Sequence, residues 1–182
     1  MWVVLLALVL ALAVRDSAAT VALTENGEPK CCVVVGAESS FPEPDLFNWT
    51  PRATLLQWAA EDVATDLGRM SGATIPVGPK PVVGLLPIYV GCAPGAVAIT
   101  RPTEFGDTYV VDVSAQRIVL HGQSRRAVYY AAAHLLHALG VRWYAPGIIG
   151  EIVPPRKTIT VVAGRVESAP EFVTRRRGHA PL

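Results

Sequence analysis

A chain of 182 residues with 51% apolar content is long enough for one domain with a substantial core. Its formal net charge of +1, with the two signs mixed along the chain, gives no electrostatic case for a nucleic-acid partner. The cysteines, Cys31, Cys32 and Cys92, make neither a CxxC pair nor a Cys/His ligand set, so the spacing does not support zinc.

The first stretch stands apart. Trp2 to Val14 is an unbroken apolar run of 13 residues, short of the roughly 20 that a bilayer span needs. Ser17-Ala18-Ala19 then supplies small residues before Thr20, as at a signal-peptidase site. The expectation is a signal peptide over residues 1–19 and an exported chain, secreted, periplasmic or at the cell surface. An uncleaved segment anchored in the membrane is the alternative.

In chain order, Val21 to Leu23 and Cys31 to Val35 are strand patterns around the turn residues 25–29, which predicts a hairpin over 20–35. Cys31 and Cys32 would point to opposite faces, so only one could meet Cys92; buried, unpaired thiols are expected. Residues 36–50 lack periodicity and read as a long surface loop. They contain the sequon Asn48-Trp49-Thr50, whose use the following Pro51 disfavours. Thr50-Pro51 opens a helix that runs to Met70 and stops at Ser71-Gly72. Leu56, Ala59, Ala60, Val63, Leu67 and Met70 form its core face. Trp58 lies on the opposite side beside Leu55, which suggests a second contact surface unless the long loop folds over it. Short strands follow over 74–77 and 86–90, separated by a Pro/Gly connector, and residues 92–106 read as loop.

Residues 107–145 carry the clearest pattern. Tyr109, Val111 and Val113 alternate with wetter residues, and Arg117 to His121 forms a second strand after the turn 114–116. Gly122 ends that strand, Ser124 caps a helix, and Gly140 stops it. Val128, Ala132, Leu135 and Leu139 make the stripe that faces the sheet. Val141 to Tyr144 then returns to the sheet, so the whole reads as a strand–helix–strand unit. Glu151 to Pro155 reads as loop, and Thr158 to Val162 as the last strand.

The fold class predicted from these elements is α+β: a two-layer sandwich in which a mixed sheet of about five to seven strands carries helices 51–71 and 124–139 on one face. The other face is left for a cover such as the long loops.

Candidates for chemistry are few. His134 and His137, one turn apart, both fall away from the apolar stripe and have no carboxylate in register, so they read as solvated. His121 ends a core strand, where a strand-end hydrogen bond accounts for it. Glu61 and Asp62 diverge by about 100° on a helix, which disfavours a glycosidase-type carboxylate pair. Ser124 lacks a GxSxG context, and no Gly-rich phosphate loop occurs. The residues therefore point to no metal and no cofactor. The run Arg175-Arg176-Arg177 reads as a solvated basic tail.

One stretch carries a resemblance. His121 to Pro154, HGQSRRAVYYAAAHLLHALGVRWYAPGIIGEIVP, resembles the non-catalytic N-terminal domain of exported glycoside hydrolases of the α-glucuronidase and β-N-acetylhexosaminidase type. Gly122, Ser124, Arg126, Tyr130-Ala131, Leu135-Leu136, Leu139-Gly140, Arg142-Trp143-Tyr144, Pro146, Gly150 and Val153-Pro154 match the pattern. Residues 59–77 and Ile88 to Gly91 are also similar, so the likeness covers about 20–172. Ala127 stands where the family usually has glycine, and Asp62-Val63 where it has Glu-Leu. In that family a (β/α)8 barrel follows and performs the chemistry. The resemblance implies an α+β domain over 20–168, a linker or start of a barrel over 169–182, and no catalytic residue to carry over. It implies an accessory role in degrading polysaccharides such as glucuronoxylan or hexosamine-containing glycans, with Trp49, Trp58, Arg175 and Arg176 as candidate contacts to the barrel or a glycan. A stand-alone carbohydrate-binding module, stacking sugars on Trp49, Trp58 or Tyr144, is the alternative. An intact enzyme with a site on loop 36–50 or 92–106 is a third.

Overall fold

The computed structural model describes residues 19–37, 41, 55–95, 97–145 and 147–169. In chain order its strands are β1 (Thr20–Glu25), β2 (Glu28–Pro29), β3 (Cys31–Val35), β4 (Val77–Gly78), β5 (Leu86–Val90), β6 (Tyr109–Val113), β7 (Ile118–Gly122), β8 (Arg142–Trp143), β9 (Glu151–Ile152), β10 (Ile159–Val162) and β11 (Gly164–Ser168). Helix α1 (Leu55–Ser71) follows β3, and α2 (Arg125–Ala138) follows β7.

The fold is α+β. A mixed sheet of six strands runs β11–β6–β7–β5–β3–β4, with two smaller sheets beside it. β4, β3, β5 and β7 are parallel, whereas β6 and β11 run antiparallel to their neighbours. Register explains the core. Val33, Ile88, Ile118 and Val113 line up across four strands, as do Val35, Val90, Leu120 and Val111. Because side chains alternate along a strand, both rows face the same way. They meet Leu56, Ala60, Val63 and Leu67 of α1 and Val128, Ala132 and Leu135 of α2 in one cluster. Each fully buried Leu or Ile there contributes roughly 1.5–3 kcal/mol.

The opposite face is covered by connectors. Val82 N–H donates to Cys32 Sγ at 3.4 Å, and Arg117 Nη1 donates to Pro94 O at 2.9 Å. Thr100 and Arg101 donate their N–H groups to Glu167 on β11 at 2.8 and 2.7 Å. Cys32, Val34 and Val119 are buried beneath this cover. A strand with no polar face needs such a second layer.

The β6–β7 hairpin and the caps of α2 follow the local pattern. Ser124 Oγ accepts the Ala127 N–H at 3.2 Å, and Gly140, at φ 102°, closes the C-terminal end. Gly122 is glycine for contact rather than conformation: a Cβ there would lie 2.5 Å from Ala127 Cβ and 2.9 Å from Val128 N. α2 thus rests directly on the strand backbone.

Four expectations need correction. The hairpin over 20–35 is only β1–β2, turned at Asn26-Gly27 with φ of 52° and 84°. β3 leaves it for the main sheet, because its apolar residues bury on both sides between β4 and β5. Val141 to Tyr144 does not rejoin the main sheet: β8 pairs with β9, so the segment after α2 forms a separate hairpin. Glu151-Ile152 is accordingly a strand rather than loop. The last strand is β11, whose polar sequence GRVES suits an edge and carries no apolar run. The predicted helix opening at Thr50-Pro51 and the long loop around Trp49 lie outside the described residues.

Candidate functional site

α1 and α2 lie side by side over the sheet, and their outer flanks leave a groove. It has a volume of about 280 Å3 and is lined by Asp62, Tyr129, Ala132, Ala133, Leu136 and Trp143. The spacing of Tyr129, Ala132, Ala133 and Leu136 is that of neighbours on one helix flank. This stripe is adjacent to the one that faces the sheet, and it turns toward α1. Trp143 arrives from β8 and closes the lower end.

Tyr129 Oη donates to Asp62 Oδ2 at 2.6 Å, joining the two helices across the groove. Burial, and then the hydrogen bond and charge of Asp62, push the Tyr129 phenol above its ordinary range. Trp143 is 45% exposed and stacks on His137, with ring centroids 6.4 Å apart. Its Nε1–H donates to Glu151 Oε1 at 3.1 Å. Arg69 Nη1 in turn donates to Glu151 Oε2 at 2.7 Å and to Asp66 Oδ1 at 3.1 Å. The β8–β9 hairpin is thereby fastened to α1 through one carboxylate. The Arg69 hydrogen bond holds the Glu151 carboxyl below the usual range. Asp66, only 4% exposed, is raised by burial first and by the charge of Glu151 next, with Arg69 opposing.

The predicted site residues are distributed as follows. Trp58 lies on α1 and is 39% exposed, while Trp49, Arg175 and Arg176 lie outside the described residues. Glu61 and Asp62 diverge: Gln57 Nε2 donates to Glu61 at 2.7 Å, and Asp62 takes the Tyr129 hydroxyl. His134 and His137 do not converge either. His134 is not simply solvated, since its Nδ1 lies 3.1 Å from Tyr109 Oη. His121 departs from expectation more sharply. It packs beside Phe41, and its buried Nδ1 has no hydrogen-bond partner among the described residues. Desolvation holds that imidazole below its ordinary pKa. All of the cysteines are free, with Cys31 and Cys32 buried. Among the described residues no group of three His, Cys, Asp or Glu side chains could hold a metal ion.

Sequence reasoning missed Tyr129, Trp143 and Glu151 as parts of one surface. A signal for the first existed: a second stripe on α2 at i, i+3, i+4 and i+7. No local pattern announced that β8 would fold over it.

No family model matches the chain, and no curated protein matches it. Among solved structures it is similar to the N-acetyl-β-hexosaminidase of Streptomyces plicatus in complex with Thio-NAglucal. That likeness has a TM-score of 0.50 at 13% identity, over 86% of this chain and 24% of that one. A mutant of the same enzyme in complex with product (GlcNAc) gives 0.49 at 12% identity, with the same coverage. The GH20 β-N-acetylhexosaminidase from Streptomyces coelicolor gives 0.44 at 13% identity, over 86% of this chain and 26% of that one. The chain thus spans about a quarter of the length of these enzymes, and at such identity the likeness is one of fold.

Proposed function

We propose that the chain is the accessory, non-catalytic α+β domain of an exported glycoside hydrolase acting on hexosamine-containing glycans. In this reading residues 1–19 are a signal peptide, 20–168 the domain, and 169–182 the lead into a catalytic barrel. The observation that carries it is the fold: most of this chain superposes on a quarter of a β-hexosaminidase, which leaves the larger part of such an enzyme to lie beyond the superposed part. The motif from His121 to Pro154 supports the same assignment independently.

The domain would dock through its helix side. Trp58 on α1 and Trp143, which the hairpin brings beside α1, are large exposed apolar side chains of the kind that mark an interaction surface. Trp49, Arg175 and Arg176 are the remaining candidates for that contact. The test is hydrolysis of aryl N-acetyl-β-hexosaminides. The 182-residue chain should release no chromophore, and a chain extended through a following barrel should. In the extended protein, Trp58→Ser should lower the melting temperature while leaving kcat within twofold. Turnover by the 182-residue chain alone would overturn the reading. Tyr144, 74% exposed, favours a second reading as a carbohydrate-binding module. Glycan-array binding by the 182-residue chain, lost on Tyr144→Ala, would establish that one instead.

A further inference from the structure

We infer that the groove between α1 and α2 is a docking seat for an arginine side chain presented by a basic protein partner. The alkyl stem lies on Ala133 and Leu136, the guanidinium against Trp143, and its charge on Asp62.

Charge is the first argument. The carboxylates Asp62, Asp66 and Glu151 stand in or beside the groove, and Arg69 pairs with Asp66 and Glu151. Among the described residues, Arg69 is also the one cation whose charge acts on either of those two. Arg142, next to Trp143 in the chain, gives its Nη1 to the carbonyl oxygens of His137 and Val141, each at 2.7 Å. Asp62 accepts the Tyr129 hydroxyl on Oδ2 and has no ion pair among the described residues. The groove therefore presents negative charge that a cation would neutralise.

Shape is the second. Ala132 and Leu136 are buried and make an apolar floor, and the half-exposed Trp143 indole makes a wall. About 280 Å3 falls just below the range of roughly 300–1,000 Å3 usual for drug-sized ligands, and a single long side chain fits it better. A carboxylate at one side of an apolar, aromatic slot suits a planar cation on a hydrocarbon stem, which is arginine more than lysine. The walls are also fixed in advance. Tyr129 holds Asp62 from across the groove, while Glu151 holds the Trp143 Nε1–H and His137 stacks on its ring. Little side-chain order then has to be gained on binding.

The surface around the slot favours a protein over a free small cation. Trp58 stands one turn before Asp62 on α1, where side chains are neighbours, and is 39% exposed. Tryptophan and arginine are the residues that dominate protein–protein contacts, and a small cation would leave Trp58 uncovered. Such a seat rests on the helix side being the docking face, and not on what activity the partner has.

The experiment uses the full 182-residue chain and the indole N–H signal of Trp143 in a nitrogen–proton NMR spectrum, assigned with Trp143→Phe. N-acetyl-arginine amide at millimolar concentration should shift that signal saturably, and the lysine analogue should do so more weakly. The citrulline analogue, similar in shape but uncharged, should leave it in place. Asp62→Asn keeps an acceptor for Tyr129 and alters an exposed residue; it should weaken binding of the arginine amide about three- to fivefold. No shift with the arginine amide, an equal shift with the citrulline analogue, or binding unchanged by Asp62→Asn would each overturn the proposal. A signal that moves with N-acetylglucosamine and not with the arginine amide would overturn it and make the groove a sugar site. One that moves with protein concentration alone would overturn it in favour of a contact between copies. None of these results bears on hydrolysis by a chain extended through a barrel, so the two readings fail separately.

Discussion

Gly122→Ala tests how closely α2 sits on the sheet. The added methyl would lie 2.5 Å from Ala127 Cβ, 2.8 Å from Ala127 C and 2.9 Å from Val128 N, well inside van der Waals contact. Two of these three atoms are backbone, so no rotamer change relieves the clash, and the first turn of α2 must recede by about 1 Å. That turn is held by the Ser124 cap and by Arg126, whose Nε donates to Asp107 Oδ1 at 2.9 Å. Val128 behind it is fully buried. Overpacking of a tight core site costs about 1–3 kcal/mol, and backbone clashes place this one at the upper end, ~3 kcal/mol. At roughly 2–4 °C per kcal/mol for a domain of this size, the melting temperature should fall by about 6–12 °C. Urea and thermal unfolding followed by tryptophan fluorescence would measure both quantities. Adding Ala127→Gly removes the nearest clash but leaves the backbone ones. The double variant should therefore be less destabilised than the sum of the singles by about 1 kcal/mol. A Gly122→Ala protein within about 0.5 kcal/mol of the parent, as for an ordinary surface change, would refute the close-contact argument.

Ser124→Ala should cost about 1 kcal/mol of stability through loss of the N-cap, and Ser124→Asp should keep most of it, as read from urea midpoints. Glu151→Gln should loosen the β8–β9 hairpin and destabilise the fold by about 0.5–1 kcal/mol near neutral pH. Because Arg69 depresses the Glu151 carboxyl, this contribution is present above the ordinary carboxylate pKa and is lost as pH falls through the lower folded value. The difference between parent and variant should therefore shrink as acid protonates Glu151; a difference that does not change as pH falls from neutral into acid would contradict the ionic tether. Burial, and then the neighbouring Cys32, push the Cys31 thiol up to about 12. A thiol reagent at pH 8 should leave Cys31 unlabelled until denaturant is added, and rapid native labelling located to Cys31 by mass spectrometry would contradict its burial.

The elements that could be read ahead of the structure are those whose determinants are local. Period-2 alternation in 109–113, the turn at 114–116, the Ser124 cap and the Gly140 stop each act within a few residues, and each is present in the fold. β3 was misassigned because CCVVV is apolar at every position. A strand of that kind declares burial on both faces but not its partners, which lie some fifty residues away on β5. β11 escaped notice for the opposite reason, being a polar edge strand held by register with β6 rather than by its own hydrophobicity.

The chain's own sequence determined its class, its two helices and the stripe each turns to the sheet, because backbone sterics and side-chain periodicity operate at short range. Tertiary structure alone decided the groove. Asp62, Tyr129 and Trp143 come from α1, α2 and β8, and they meet only because β8 pairs with β9 and Glu151 ties that hairpin to Arg69. A surface assembled across eighty residues has no local signature, since each member is set by the packing of elements that its neighbours in the chain do not specify.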